Sequence, residues 1–276
     1  MAEPPAWAGA ADPRTSLARV LRSLADGAMF GERWGEGPVA VVALHGWRRT
    51  HGDFAAVLGP GAPGGPLPAL APDLPGFGAT PEPPAVWGSA QYAAAVAGVL
   101  DGGDGPPAGT GVVVVGHSLG ARVAVHLAAQ RPELVAALVL TGAPLAPSGR
   151  RPSAPPPAFR AARALHRVGI VSDARMEAAR QRHGSADYRA ARGRMREVLV
   201  RIVNERYDEV LAAVHCPVEL VWGDDDGDVP LSVAEAIRAA VPEARLTVCH
   251  GAGHLTPLTV PAALRAATER ALARRP

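Results

Sequence analysis

Lysine is absent from this chain. All 28 basic residues are arginine, set against 26 carboxylates, so the net charge is +2. With alanine, glycine and proline also abundant, arginine in place of lysine follows coding composition and signals no function. A charge this close to balance gives no argument for nucleic acid or an anionic membrane surface as a partner. Cysteine is scarce too. Cys216 and Cys249 are far apart in sequence, which excludes a zinc motif or a disulfide framework and leaves two small buried apolar residues. No run of eighteen apolar residues occurs, so no membrane span is expected. Met1 to Asp12 is rich in alanine and proline, interrupted by Glu3 and Asp12, and lacks the apolar stretch of a secretory leader. The default expectation is a cytoplasmic protein. At 276 residues the chain fits one large domain, or a core with an insertion.

The most informative stretch runs from Val112 to Gly120. Four valines read as a buried strand, Gly116-His117-Ser118-Leu119-Gly120 forms a Gly-x-Ser-x-Gly turn, and Ala121 to Gln130 reads as a helix. A serine at such a turn stands clear of the sheet, at a helix N-terminus whose free N–H groups favour negative charge. Glycine is required on either side because a side chain would crowd the turn. Ser118 is therefore the candidate nucleophile.

Other short apolar runs read as strands: Val39–Leu44, Leu70–Asp73, Leu134–Thr141, Val218–Trp222 and Arg245–Cys249. Helices are expected over Tyr92–Leu100, Leu231–Ala240 and Pro261–Arg274. Leucines at 17, 21 and 24 suggest another over Thr15–Ala25, after a poorly ordered tail at 1–13. Strands alternating with helices imply an α/β fold with a mostly parallel sheet, whose ligands bind beyond the carboxyl ends of the strands. The alternation breaks over 145–213. There a Pro/Ser/Arg-rich linker precedes helices expected at Phe159–Arg167, Ser172–His183 and Tyr188–Leu211, with Ser172 and Ser185 as N-caps. This reads as a helical insertion over the site, between core segments 14–144 and 214–276.

A serine needs a base, an orienter for that base, and oxyanion donors. His254, in Gly251-Ala252-Gly253-His254 after the last strand, is the best base among nine histidines. The acid lies in Trp222-Gly223-Asp224-Asp225-Asp226-Gly227-Asp228. Its spacing from the strand selects Asp226, and leaves Asp224, Asp225 and Asp228 as turn or surface acids. The ligand series of a calcium loop is incomplete there, so no metal is expected. The backbone N–H groups of Leu119 and Trp47 are the oxyanion candidates. His45, Arg48 and His117 lie close enough in sequence to these groups to be candidates for substrate contacts. Arg48 and Arg49 could grip a substrate carboxylate or simply face solvent.

These motifs resemble the α/β-hydrolase superfamily. The resemblance rests on Leu44-His45-Gly46-Trp47, Asp73-Leu74-Pro75-Gly76-Phe77-Gly78, the Ser118 turn, the Asp226 turn with Pro230, and the His254 turn, in the family's order of nucleophile, acid and histidine. It implies eight strands, a helical cap inserted after the sixth, and no cofactor. The expected activity is cleavage of a small carboxylic ester, with a small-molecule substrate as the only implied partner; the sequence leaves the oligomeric state open. Carbon–carbon hydrolysis or lyase chemistry on a small keto-acid, and a non-catalytic small-ligand receptor, are the alternatives.

Overall fold

The computed structural model describes residues 21–103, 105–107, 109–146, 157–183, 186–241 and 243–275. Eight strands form one sheet: β1 (Arg22–Leu24), β2 (Met29–Trp34), β3 (Val41–Leu44), β4 (Ala69–Asp73), β5 (Val112–His117), β6 (Val135–Thr141), β7 (Val218–Gly223) and β8 (Arg245–Cys249). Their order across the sheet is β1-β2-β4-β3-β5-β6-β7-β8. The pairs β1–β2 and β2–β4 are antiparallel and the others parallel.

The central strands are apolar throughout because both faces of the sheet are covered. Every residue of β3 and β5 is buried. Alternate side chains divide between two cores. Val42, Leu44, Val112 and Val114 pack with α2 (Ser89–Asp101), α3 (Leu119–Gln130) and α9 (Leu231–Ala240). Val41, Ala43, Val113 and Val115 pack with α1 (Ala55–Leu58) and α11 (Pro261–Leu272). A one-residue slip in register would exchange these faces, so the packing on each side fixes the pairing.

From β3 the chain runs to β4 on one side, then returns to place β5 on the other. The carboxyl ends of β3 and β5 therefore meet at the reversal of strand order, where open α/β sheets leave a crevice for ligands. His45-Gly46-Trp47 and Ser118 follow those two ends directly.

Two sequence expectations change. The helix expected over 15–25 is not formed in its described part. Arg22–Leu24 is strand β1, paired with β2 in the register Leu24↔Met29, and 15–20 lie outside the described residues, as does the 1–13 tail. The turn runs through Ala25, Asp26 and Gly27, all at positive φ, which a right-handed helix does not allow. The helix expected over 188–211 is three: α6 (Ala186–Ala190), α7 (Gly193–Val203) and α8 (Asp208–Ala212). Gly193, at φ +47°, marks the first break.

Between β6 and β7 these helices are preceded by α4 (Pro157–Arg167) and α5 (Asp173–His183). The Ser172 hydroxyl faces the Arg175 N–H at 3.5 Å, the direction of an N-cap; Ser185 lies outside the described residues. A final short helix, α10 (Thr256–Thr259), precedes α11.

Candidate active site

Ser118 sits between β5 and α3 at φ +51°, ψ −105°. For a residue with a Cβ this is a strained backbone, of a kind that persists where surrounding structure enforces it. The enforcement is visible on both sides. A Cβ on Gly116 would lie 2.7 Å from the Ala121 Cα, and one on Gly120 would overlap the Leu44 carbonyl. The Ser118 N–H donates to the Thr141 carbonyl at 3.0 Å, which ties the turn to the end of β6.

His254 is held from three directions. Its Nδ1 lies 2.8 Å from Asp226 Oδ2. Its carbonyl accepts the Nε2–H of His117 at 2.9 Å. Beneath its ring lies Gly142, where a Cβ would come within 2.8 Å of His254 Cε1. Gly142, at φ +53°, thus serves both the turn after β6 and the space for the imidazole. The His117 and His254 rings stand 4.9 Å apart between centroids, so His254 and the residue before Ser118 are neighbours.

Of the four carboxylates after β7, Asp226 alone is buried. Its Oδ1 accepts the N–H groups of Asp228 (2.9 Å) and Val229 (2.8 Å), leaving Oδ2 for His254. Burial pushes its pKa up, but the His254 and backbone hydrogen bonds outweigh that and hold it below the ordinary carboxylate value. Asp224 is exposed and bonds the His250 ring and the Gly251 N–H, tying the loop after β7 to the turn after β8. Among the described residues, Asp226, Asp228 and His254 are the one group whose metal-ligating atoms lie within 4.8 Å of one another, and two of them are already bonded together.

Leu119 opens α3, so its N–H is one of the first-turn donors that have no acceptor within the helix. Trp47 lies in the loop after β3, its ring edge-on to Phe77 at 4.9 Å. The next residue, Arg48, adopts φ +57°.

The structure gives the three residues expected to touch substrate other contacts. His45 is fully buried; its Nδ1 meets the Gly46 carbonyl at 2.7 Å and its Nε2 accepts the Leu74 N–H at 2.9 Å. Burial lowers its pKa to about 4, so the ring is a neutral brace between two loops. His117 is likewise buried, its pKa lowered to about 4 by burial and then by His254, with Nδ1 facing Gly46. Arg48 reaches across to Asp187 on α6 at 3.6 Å, an exposed pair. Arg49 is held by both oxygens of Asp53, at 2.6 and 2.7 Å.

Two polar clusters join segments far apart in sequence. Asp73 Oδ1 accepts the His51 N–H at 2.8 Å and lies 2.8 Å from His51 Nδ1, while Oδ2 accepts the Ala79 N–H at 3.0 Å. This pins the loop carrying Trp47 to the loop after β4. The signal was present in Asp73 and Gly78, since a Cβ on Gly78 would strike the Asp73 carboxylate. The second cluster centres on Glu205 and Tyr207. The Tyr207 hydroxyl donates to Glu205 Oε2 at 2.6 Å and meets Ser89 Oγ at 3.0 Å; Glu205 Oε1 accepts the Ser89 N–H at 2.9 Å. Arg122 of α3 lies over the Tyr207 ring and donates to the Ile202 carbonyl. The motif fastens the end of α7 to α2 and α3.

Residues 41–267 match the model of the alpha/beta hydrolase family. The chain is 44% identical over 122 residues to the lipase LipV of Mycobacterium tuberculosis, a match covering 44% of this chain and 43% of that one. It spans less than half the length of that relative. It is 29% identical over 247 residues to a pimeloyl-[acyl-carrier protein] methyl ester esterase of Aromatoleum aromaticum, covering 80% of this chain and 93% of the other. A thermophilic esterase from Thermogutta terrifontis superposes with a TM-score of 0.62 at 23% identity, over 92% of this chain and 98% of its own, a likeness of fold. The chain belongs to the alpha/beta hydrolase family.

Proposed function

We propose that this hydrolase cleaves small carboxylic esters through an acyl-enzyme, with Ser118 as nucleophile, His254 as general base and acid, and Asp226 as its orienter. The observation that carries the reading is the single buried carboxylate after β7 bonded to His254 Nδ1, with the His254 backbone tied to the residue before Ser118. With Nδ1–H donated to Asp226, Nε2 is left to take the Ser118 proton as Oγ attacks the carbonyl carbon. The carbonyl oxygen gains negative charge against the N–H groups of Leu119 and Trp47. His254 then protonates the leaving alkoxide. A water, activated by the same Nε2, cleaves the acyl-enzyme and returns Ser118.

The lipase and esterase names among the relatives support an ester substrate. An arginine free to grip a keto-acid would favour carbon–carbon chemistry, but Arg49 is chelated by Asp53 and Arg48 pairs with Asp187. Residues 145–213 act in this reading as a cap: Asp187 of α6 reaches the oxyanion loop, and Met195 of α7 lies against Gly76 in the loop after β4. The test is reaction with a fluorophosphonate, followed by peptide mapping. One adduct on Ser118, absent from Ser118→Ala, is expected. A folded protein that takes no label would overturn the reading.

A further inference from the structure

The near-neutral charge of the chain conceals an uneven distribution. Residues 157–183 carry six arginines and two carboxylates, in a protein whose whole net charge is +2. One of those carboxylates, Glu177, is paired with Arg196 of α7, and the other, Asp173, lies 3.5 Å from His166.

Helix α4 and the turn after it are exposed to an extent that the fold does not explain. Of the residues from 158 to 175 whose side chains are described, only Ala162, His166 and Val171 are even half-buried. Leu165, Val168 and Ile170 are 42%, 69% and 68% exposed. Helix α4 packs on α5, and α5 is anchored through the buried Met176 and through Glu177. On α4, Arg160, Arg163 and Arg167 are spaced three and four apart and share one flank. Ala161 and Leu165 share another, continued by Val168 and Ile170 in the turn.

We propose that the α4–α5 hairpin docks on the surface of an anionic lipid bilayer. The combination of flanks selects this occupant. An arginine stripe alone would suit any polyanion, and an apolar flank alone would suit a second copy of the chain. An arginine stripe beside exposed leucine, valine and isoleucine fits a boundary where phosphates lie next to acyl chains. There the guanidinium groups stay at headgroup level and the apolar side chains enter the layer below. The attachment is peripheral, since no helix among the described residues is long and apolar enough to cross a membrane. Helix α6, which follows α5, carries the Asp187 that meets Arg48, so the docked face lies within one short helix of the Trp47 loop.

The proposal stands apart from the ester reading and is tested without turnover. Sedimentation of the full-length protein with vesicles of phosphatidylcholine alone, and of phosphatidylcholine with phosphatidylglycerol, reads binding directly. Binding to the anionic vesicles only, weakening as salt is raised, is expected. R160Q/R163Q/R167Q should weaken it about 100-fold, from the usual contribution of three surface arginines. V168S/I170S should weaken it as well. These exposed substitutions should leave the circular dichroism spectrum and the thermal midpoint unchanged. Three results would overturn the proposal: no sedimentation with anionic vesicles, equal sedimentation with neutral ones, or undiminished binding by the arginine variant. A dimer that V168S/I170S converts to monomer would also overturn it, by assigning the face to a second copy.

Discussion

Acid should weaken this fold well above the range in which carboxylates titrate. His45 and His117 are fully buried, and each has its pKa lowered from 6.5 to about 4. The unfolded chain takes up a proton at each position below about pH 6.5, whereas the folded rings refuse it until about pH 4. Stability attached to each ring is therefore complete above pH 6.5 and is lost as pH falls towards 4. By linkage the loss is about 2 kcal/mol per ring at pH 5, and about 3 below pH 4. Two rings give about 4 kcal/mol at pH 5, a large share of the ~5–15 kcal/mol that holds a typical domain. His126, also lowered by burial, adds in the same direction. Asp73 and Asp226, held below 3.8, contribute nothing to the change above pH 5. The assay is urea unfolding of wild type and His45→Gln at pH 7.5 and pH 5. Glutamine keeps an acceptor for the Leu74 N–H but cannot titrate. The variant's loss of stability between the two pH values should be smaller by about 2 kcal/mol. Equal losses in the two proteins would show that His45 is not a neutral buried brace, and would refute the reasoning for both rings.

Three further outcomes are expected. Asp226→Asn should lower kcat on a p-nitrophenyl ester by about 10⁴-fold, because the amide cannot hold the imidazole in the same tautomer, while Asp224→Asn leaves kcat within about twofold. Gly142→Ala places a Cβ 2.8 Å from the His254 ring at a positive φ, so stability should drop by about 1–2 kcal/mol and kcat should fall more than KM rises. Tyr207→Phe leaves Glu205 and Ser89 without their shared hydroxyl and should cost about 1–3 kcal/mol by denaturant unfolding, with the Ser118 label retained.

The parallel strands were legible because two-sided burial writes them as continuous apolar runs, as in Val112–Val115 and Val135–Thr141. The hairpin β1–β2 was hidden for the opposite reason. It lies at the antiparallel edge, Glu32 and Arg33 interrupt its second strand, and the leucine spacing before it imitates a helix. The breaks around α7 were hidden because they rest on partners far away in sequence, such as Ser89 for Tyr207. At the site, Ser118 could be named from two glycines that leave no room for a side chain, and His254 from its place in a glycine-rich turn after the last strand. Choosing one aspartate among four needed spacing, and the burial of Asp226 alone gives that choice its physical content. His45 and His117 are candidates for substrate contacts by their place in the sequence, and in the fold their nitrogens meet the Leu74 N–H and the His254 carbonyl. No local pattern records which tertiary partner an imidazole will find.

The groups proposed to react, together with Thr141, Gly142 and Val229 that hold them, all belong to strand ends outside 145–213. That segment leaves the sheet after β6 and returns at β7, and among its described residues none is bonded to Asp226 or His254. In the proposed reading it would be an exchangeable module, provided that the buried Met195, Val198, Ile202 and Tyr207 that seat it on the core are kept. Replacing it with a helical segment of another length or composition would redraw the surroundings of the crevice and the surface offered to larger partners. The bond between Asp226 and His254 would survive the trade. Under that reading selectivity and reactivity would be written in separate stretches of one chain, joined only through the core that both share.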